Sequence, residues 1–240
     1  VWAPRVEVAD VAMAETAEHL DIERAQRLDY QPVVVGQRWG WNWSTAWFRL
    51  RLQVPDELAG RAVSLLFEPD GQCIVFRDGE PVQGLDRNRK DVPLWDKARG
   101  GERLELYVEA GANSDFGAYW QHTLLAGPQL AAFQPEVWDA YCTLLCLAEL
   151  LPTEASRGIF GEKTTTWDEE SPRRVRLIRG LSQAVDAFDY LDTSPEAMRA
   201  SAKRVLTACR PLLGCPAEPS AGAIACMGHA HIDVAWLWPL

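Results

Sequence analysis

Thr45-Ala46-Trp47-Phe48-Arg49-Leu50-Arg51-Leu52-Gln53-Val54 decides how this chain folds. Phe48, Leu50, Leu52 and Val54 alternate with Trp47, Arg49, Arg51 and Gln53, and a period of two sends each set to its own face of an extended strand. Leu104, Leu106 and Val108 alternate in the same way with Arg103, Glu105 and Glu109, so both stretches predict half-buried strands. Between them, Ala62-Val63-Ser64-Leu65-Leu66-Phe67 and Gln72-Cys73-Ile74-Val75-Phe76 read as two more strands. Pro69-Asp70-Gly71 and Asp78-Gly79 supply turn residues that tolerate positive φ. Short strands at this spacing predict an antiparallel β-sandwich over residues 41–134.

On either side of the sandwich the pattern changes. Residues 1–40 read as an amino-terminal extension, with a weakly amphipathic helix expected between Val6 and Leu28. After Pro135 the period becomes helical, with Val137, Tyr141, Leu144, Leu145, Ala148 and Leu151 on one stripe. A second helix is expected from Ser171-Pro172, carrying Ile178, Leu181, Val185 and Phe188 inward. A third is expected from Ser194-Pro195, carrying Met198, Ala202, Val205, Leu206 and Cys209, with Pro211 and Gly214 ending it. A serine cap followed by proline suits the first turn of a helix. Residues 135–216 therefore predict a helical connector.

Residues 217–240 carry the chemistry. Ala221-Gly222-Ala223-Ile224-Ala225-Cys226-Met227 reads as a buried parallel-type strand, and Gly228-His229-Ala230-His231-Ile232-Asp233 follows at its carboxyl end. Spacing by two puts His229, His231 and Asp233 on one strand face, where imidazole nitrogen and carboxylate oxygen are donors that a borderline divalent cation accepts. The carboxyl ends of strands are where α/β barrels place their sites. By itself the triplet leaves other readings open. Amidohydrolase barrels and metallo-β-lactamases also use His-x-His, and a strand-end histidine can be structural. A metallo-β-lactamase pattern would want histidine at position 234, where this chain has Val234.

With the flank Ala235-Trp236-Leu237-Trp238-Pro239 included, the segment resembles the opening His-x-His-x-Asp-x-x-Trp motif of glycoside hydrolase family 38, the zinc-dependent α-mannosidases. Ala46-Trp47-Phe48 and Phe76-Arg77-Asp78-Gly79-Glu80-Pro81-Val82-Gln83-Gly84-Leu85-Asp86 extend the resemblance upstream, and Arg87-Asn88-Arg89-Lys90 departs from it by being unusually basic. The resemblance implies that His231 and Asp233 are ligands of zinc or another divalent cation such as cobalt or manganese. It implies that Trp236 stacks on the sugar, and that His229 is not a direct ligand but orients its neighbours or simply packs. It also implies a galactose-binding-like jelly roll for the sandwich, a barrel catalytic domain beginning at residue 217, and retaining hydrolysis of α-mannoside oligosaccharides by two carboxylates. Neither the nucleophile nor the acid/base matches a position in these residues, so the chain alone is expected to be inactive.

Composition narrows the partners. A net charge of −10 argues against nucleic acid, since phosphate binding needs clustered Lys and Arg, and the runs Arg87 to Lys90 and Arg173 to Arg176 are short and bracketed by acids. No apolar run approaches the roughly 20 residues that a membrane helix needs. Six cysteines without a Cys-x-x-Cys pair, and no stretch that reads as a signal peptide, lead to an expected location in a reducing cytoplasm.

Trp39, Trp41, Trp43 and Trp47 admit two readings. The first three would share a strand face and could stack on sugars, as in a carbohydrate-binding module; as core or interface residues they would seal the sandwich instead, and this structural reading is the stronger. Trp167-Asp168-Glu169-Glu170 likewise reads as the acidic lead-in to a helix in preference to a catalytic pair. Alternatives to a hydrolase are a sugar-binding sandwich or one that docks subunits into a homo-oligomer, and another barrel metallohydrolase is the remaining one.

Overall fold

The computed structural model describes residues 1–41, 43–112, 121–151, 172–214 and 225–228. The described residues belong to two compact units, Trp2–Phe133 and a unit formed by Val1 with the chain from Gln134 onward.

The first unit is the expected antiparallel sandwich. Its strands are β1 (Trp2–Glu7), β2 (Val11–Thr16), β3 (Gln31–Pro32), β4 (Arg38–Trp39), β5 (Thr45–Gln53), β6 (Val63–Glu68), β7 (Gln72–Arg77), β8 (Glu80–Leu85), β9 (Asp91–Trp95), β10 (Arg103–Gly111), β11 (His122–Thr123) and β12 (Ala126–Phe133). One sheet runs β1-β12-β6-β9 and the other β3-β2-β5-β10-β7-β8, while β4 and β11 form a short ribbon. The decisive stretch, β5, pairs with β10 along its whole length, with Leu106 opposite Leu50 and Val108 opposite Phe48.

The alternation read from β5 places Phe48, Leu50 and Leu52 in the core with Leu106, Val108 and Val75 of the same sheet. Val63, Leu65 and Phe67 of β6 and Leu130 of β12 meet them from the opposite sheet. Phe48 and Phe67 touch edge to face, ring centroids 5.5 Å apart, which locks the two sheets at the centre of the sandwich. Trp47 departs from the simple pattern. It lies on the outer face and is still buried, because Ala12, Ala14, Tyr30 and Tyr107 close over it with the short helix α1 (Ile22–Ala25). Tyr30 donates its hydroxyl to the Ala25 carbonyl at 2.9 Å, and the Arg49 guanidinium sits 4.9 Å over the Tyr30 ring.

The helix expected between Val6 and Leu28 forms only as the short α1, Ile22–Ala25. Val11 to Thr16 adds instead to β5 as a strand, with Met13 opposite Phe48, and β1 adds to β12. Ladder pairing and burial of Met13 outweigh the weak helical propensity of an alanine-rich segment. Residues 2–40 thus contribute strands to the sandwich where the sequence reading sets an extension apart.

Turn residues sit as expected at two places, with different outcomes. Asp78 (φ 54°) and Gly79 (φ 85°) close a two-residue hairpin between β7 and β8. Asp70 (φ 70°) and Gly71 (φ 77°) instead carry the chain from one sheet to the other, because β6 and β7 belong to different sheets.

The second unit contains the helical connector: α2 (Pro135–Glu149), α3 (Pro172–Asp186) and α4 (Pro195–Leu213). Each starts at its proline, and the Ser194 hydroxyl accepts from the Ala197 amide at 3.3 Å. Pro211 lies within the last turn of α4 without ending it. The helix stops at Gly214, whose amide donates to the Arg210 carbonyl at 2.8 Å.

Two apolar stripes are rotated from the sequence reading. On α2 the inward residues are Val137, Ala140 and Leu147 with Leu144 and Leu151, while Tyr141, Leu145 and Ala148 are exposed. On α3 the inward residues are Leu177 and Ala184 with Leu181, and Phe188 beyond its end packs against them as read, while Ile178 and Val185 are exposed. The cause on α3 is close approach to α4. A Cβ at Gly180 would lie 2.6 Å from Leu212 Cδ1, so the helix turns its glycine and small residues toward its neighbour. On α4, Ala202, Val205 and Cys209 face inward as expected.

Candidate functional site

The residues that the sequence singles out for metal and sugar chemistry, His229, His231, Asp233 and Trp236, lie outside the described residues, as do Ser171 and the Trp167-Asp168-Glu169-Glu170 run. Just upstream, Ala225, Cys226, Met227 and Gly228 are neither strand nor buried, and Met227 is 90% exposed. The buried parallel strand expected there is therefore not formed over its described part. A parallel strand needs a neighbour to supply its ladder, and none of the described strands pairs with it. Among the described residues no group of three or more His, Cys, Asp or Glu could hold a metal ion.

The described residues of the sandwich line a cavity of about 330 Å³ with both polar and apolar walls. One wall is the β6–β7 crossover from Glu68 to Cys73, a second is the end of β8 with the turn from Asp86 to Asn88, and Gly111, His122 and Leu125 complete it. Local structure explains its rigidity. The Trp39 indole N–H donates to the Pro69 carbonyl at 2.7 Å, which anchors the crossover to β4. Asp70 accepts from the Gly71 amide at 2.9 Å and, through its other oxygen, from the Thr123 amide at 3.3 Å, which ties the crossover to β11. Gly71 passes so close to β10 that a Cβ there would lie 2.9 Å from the Gly111 carbonyl oxygen. Only glycine fits both that contact and the positive φ.

His122 sits at the meeting point of these elements. Its ring stacks on Trp39, its side chain is 5% exposed, and Nδ1 lies 3.1 Å from Asp70 Oδ2. Nδ1 is therefore within ion-pair range of Asp70, and neither ring nitrogen makes a hydrogen bond among the described residues. Cys73 lines the same cavity. Burial, then the nearby Asp70 and Asp86 carboxylates, push its thiol up to about 12, so it is a neutral, small apolar wall residue at physiological pH. Asp86 is spent on its own turn, accepting from the Asn88 and Arg89 amides at 2.7 and 2.9 Å.

Sequence reasoning did not single out His122. Asp70 and Gly71 carried a turn signal, and nothing in their spacing connects them to a histidine on another strand.

The tryptophans divide. Trp39 and Trp47 are buried, in keeping with the structural reading. Trp41 and Trp43 are each 44% exposed, and they do not share a strand face with Trp39. The chain leaves β4 at Gly40 (φ 79°) and turns at once: the Trp41 amide donates to the Ser44 hydroxyl at 2.9 Å, and Trp43 adopts a φ of 65°.

Comparison with known proteins places these observations. Residues 4–139 match the family model described as alpha-mannosidase, jelly roll domain. The chain is 32% identical over 238 residues to alpha-mannosidase 2C1 of Mus musculus, covering 93% of this chain and 21% of that protein. It is 31% identical to alpha-mannosidase 2C1 of Homo sapiens, covering 97% of this chain and 22% of that protein. Alpha-mannosidase G of Dictyostelium discoideum is 20% identical over 97% of this chain and 21% of its own length. The chain thus spans about a fifth of the length of the curated relatives that it matches.

Proposed function

We propose, from the premise that this chain belongs to the alpha-mannosidase jelly roll domain family, that it is the amino-terminal part of a metal-dependent, retaining α-mannosidase acting on terminal α-mannosides of oligosaccharides. The observation that carries this reading beyond the family is the segment His229-Ala230-His231-Ile232-Asp233-Val234-Ala235-Trp236, which follows the sandwich and its helices in one chain.

The donor set fits a cation. His231 and Asp233 offer one neutral imidazole and one carboxylate, the mixed nitrogen and oxygen ligation that zinc accepts, with cobalt or manganese as chemically close alternatives. Zinc bound there supplies a template for sugar hydroxyls and stabilisation of developing negative charge. The chain's own part is positional. His231 and Asp233 hold the cation at the start of a barrel domain, His229 orients the ligand strand, and Trp236 offers an indole face to the sugar ring. On this reading the nucleophilic carboxylate and the acid/base lie outside these 240 residues, which span about a fifth of the relatives' length.

A cytoplasmic setting goes with this reading. The five described cysteines are all free thiols, and no helix among the described residues is long and apolar enough to cross a membrane.

The test is turnover of p-nitrophenyl α-D-mannopyranoside by the complete enzyme and by the 240-residue chain. Activity in the former that is lost on exhaustive chelation and restored by zinc, together with none in the latter, supports the proposal. Full activity after chelation overturns it.

A further inference from the structure

We propose that the cavity at the β6–β7 crossover is a binding site in its own right, for a neutral, polyhydroxylated ligand of about the size of one pyranose ring. The pocket lies wholly within the sandwich, so its ligand is independent of whether His231 and Asp233 hold a metal.

Charge and size select the class. Three carboxylates, those of Glu68, Asp70 and Asp86, face the cavity against the single guanidinium of Arg87. Glu68 is already paired with Lys90 at 2.5 Å. An anionic ligand would meet net repulsion there. A metal cation would need three or more converging donors, and no such group exists among the described residues. A hydroxyl group both donates and accepts, and the lining residues include both kinds of partner: Glu68, Asp70 and Asp86 as acceptors, and Gln72, Arg87 and Asn88 as donors. Leu125 and the neutral Cys73 give an apolar surface for the C–H face of a ring. A volume of about 330 Å³ takes one small ring, at the lower end of the range for small-molecule sites.

Two further features single this cavity out from a chance surface hollow. Its walls are held rigid before any ligand arrives, by the Trp39 to Pro69 bond, the Asp70 to Thr123 bond and the contact of Gly71 with Gly111. Preorganised walls lose little freedom on binding. Secondly, the His122 imidazole beside the cavity is buried, with Nδ1 facing Asp70 Oδ2 at 3.1 Å and Nε2 without a hydrogen-bond partner among the described residues. A buried polar atom without a partner costs stability, and that cost is relieved when a ligand hydroxyl or a water carried with it supplies the missing bond.

The experiment is titration of the full 240-residue chain, followed by NMR amide shifts, with methyl α-D-mannopyranoside, methyl β-D-galactopyranoside and myo-inositol, and with D-glucuronate and calcium chloride as charged comparators. The expected result is saturable binding of at least one neutral probe with a Kd on the order of millimolar, with shifts at Asp70, Asn88 and Thr123. Asn88→Ala and Arg87→Ala, both at exposed positions that leave the core intact, should weaken it by about tenfold. His122→Phe, which keeps the stack on Trp39 and removes the nitrogens, should abolish it. The proposal is overturned by any of three results: no saturation by a neutral probe up to about 50 mM, binding unchanged in both exposed-site variants, or tighter binding of glucuronate or calcium than of every neutral probe.

Discussion

Trp39 and His122 stack face to face, ring centroids 4.8 Å apart and planes inclined by 23°, and the indole N–H reaches past the pair to the Pro69 carbonyl. One aromatic side chain therefore couples β4, β11 and the crossover between the two sheets. Replacing Trp39 by Ala should cost about 3–5 kcal/mol of stability in urea denaturation, as for other large buried aromatics. Trp39→Phe should cost less, roughly the lost hydrogen bond and part of the packing, about 1–2 kcal/mol. A cost near zero in Trp39→Phe would show that the bond to Pro69 and the indole's extra area contribute nothing.

Gly71 and Gly79 share a positive φ, 77° and 85°, but differ in their surroundings. Nothing lies within 4 Å of a Cβ at Gly79, whereas one at Gly71 meets the Gly111 carbonyl. Gly79→Ala should lose only the conformational term, about 1 kcal/mol, and Gly71→Ala about 2–3 kcal/mol because backbone must also move. Thermal denaturation of the two single variants checks the order.

Alkaline pH should destabilise the sandwich. Burial pushes the Cys73 thiol up to about 12, and burial with the Glu105 hydrogen bond pushes the Tyr107 hydroxyl up to about 12 as well. Both stay protonated in the folded chain while the unfolded chain releases those protons near 9 and 10. The stability contribution is thus complete below about pH 9 and is lost progressively as pH rises toward 12. Urea midpoints at pH 7, 9 and 10.5 should fall only over the last interval, and less steeply in Cys73→Ala. In the same chain at pH 8, iodoacetamide should label the exposed Cys146 and Cys226 and spare Cys73, read by mass spectrometry.

In the complete enzyme, His231→Ala or Asp233→Ala should remove bound zinc and mannosidase turnover together, measured by metal analysis beside the assay. His229→Ala should retain the metal with an affinity weakened by about 10–100-fold, the usual cost of losing a group that orients a ligand. Wild-type zinc content in His231→Ala would refute the ligand assignment.

How much of this was legible in the sequence follows from the range of the interactions involved. Alternation in β5 and β10 is local, and it put Phe48, Leu50, Leu106 and Val108 in the core correctly. Prolines 135, 172 and 195 marked helix starts because the constraint acts on the residue itself. Stripe phase on α2 and α3 was legible only in part: Val137, Leu144, Leu151, Leu181 and Phe188 pack as read, but single-helix periodicity contains no partner, and on α3 Gly180 turns toward Leu212 of another helix. Asp70 and Gly71 announced positive φ but not which sheets they join. The cavity was invisible for the same reason: Asp70, Asn88 and His122 come from separate elements that only the strand order brings together. The proposed metal ligands, His231 and Asp233, are the converse case, plain as a motif and lying outside the described residues.

Trp2 lies opposite Phe133 in the β1–β12 ladder, with their rings 4.9 Å apart. The polypeptide accordingly enters and leaves the sandwich through a single doorway. A module whose two ends meet can be grafted into, or deleted from, a host protein with only a short splice to bridge the gap, and its ends can be joined and new ones opened elsewhere without unpicking a sheet. Such geometry favours moving the whole cassette between host proteins over piecemeal change within it.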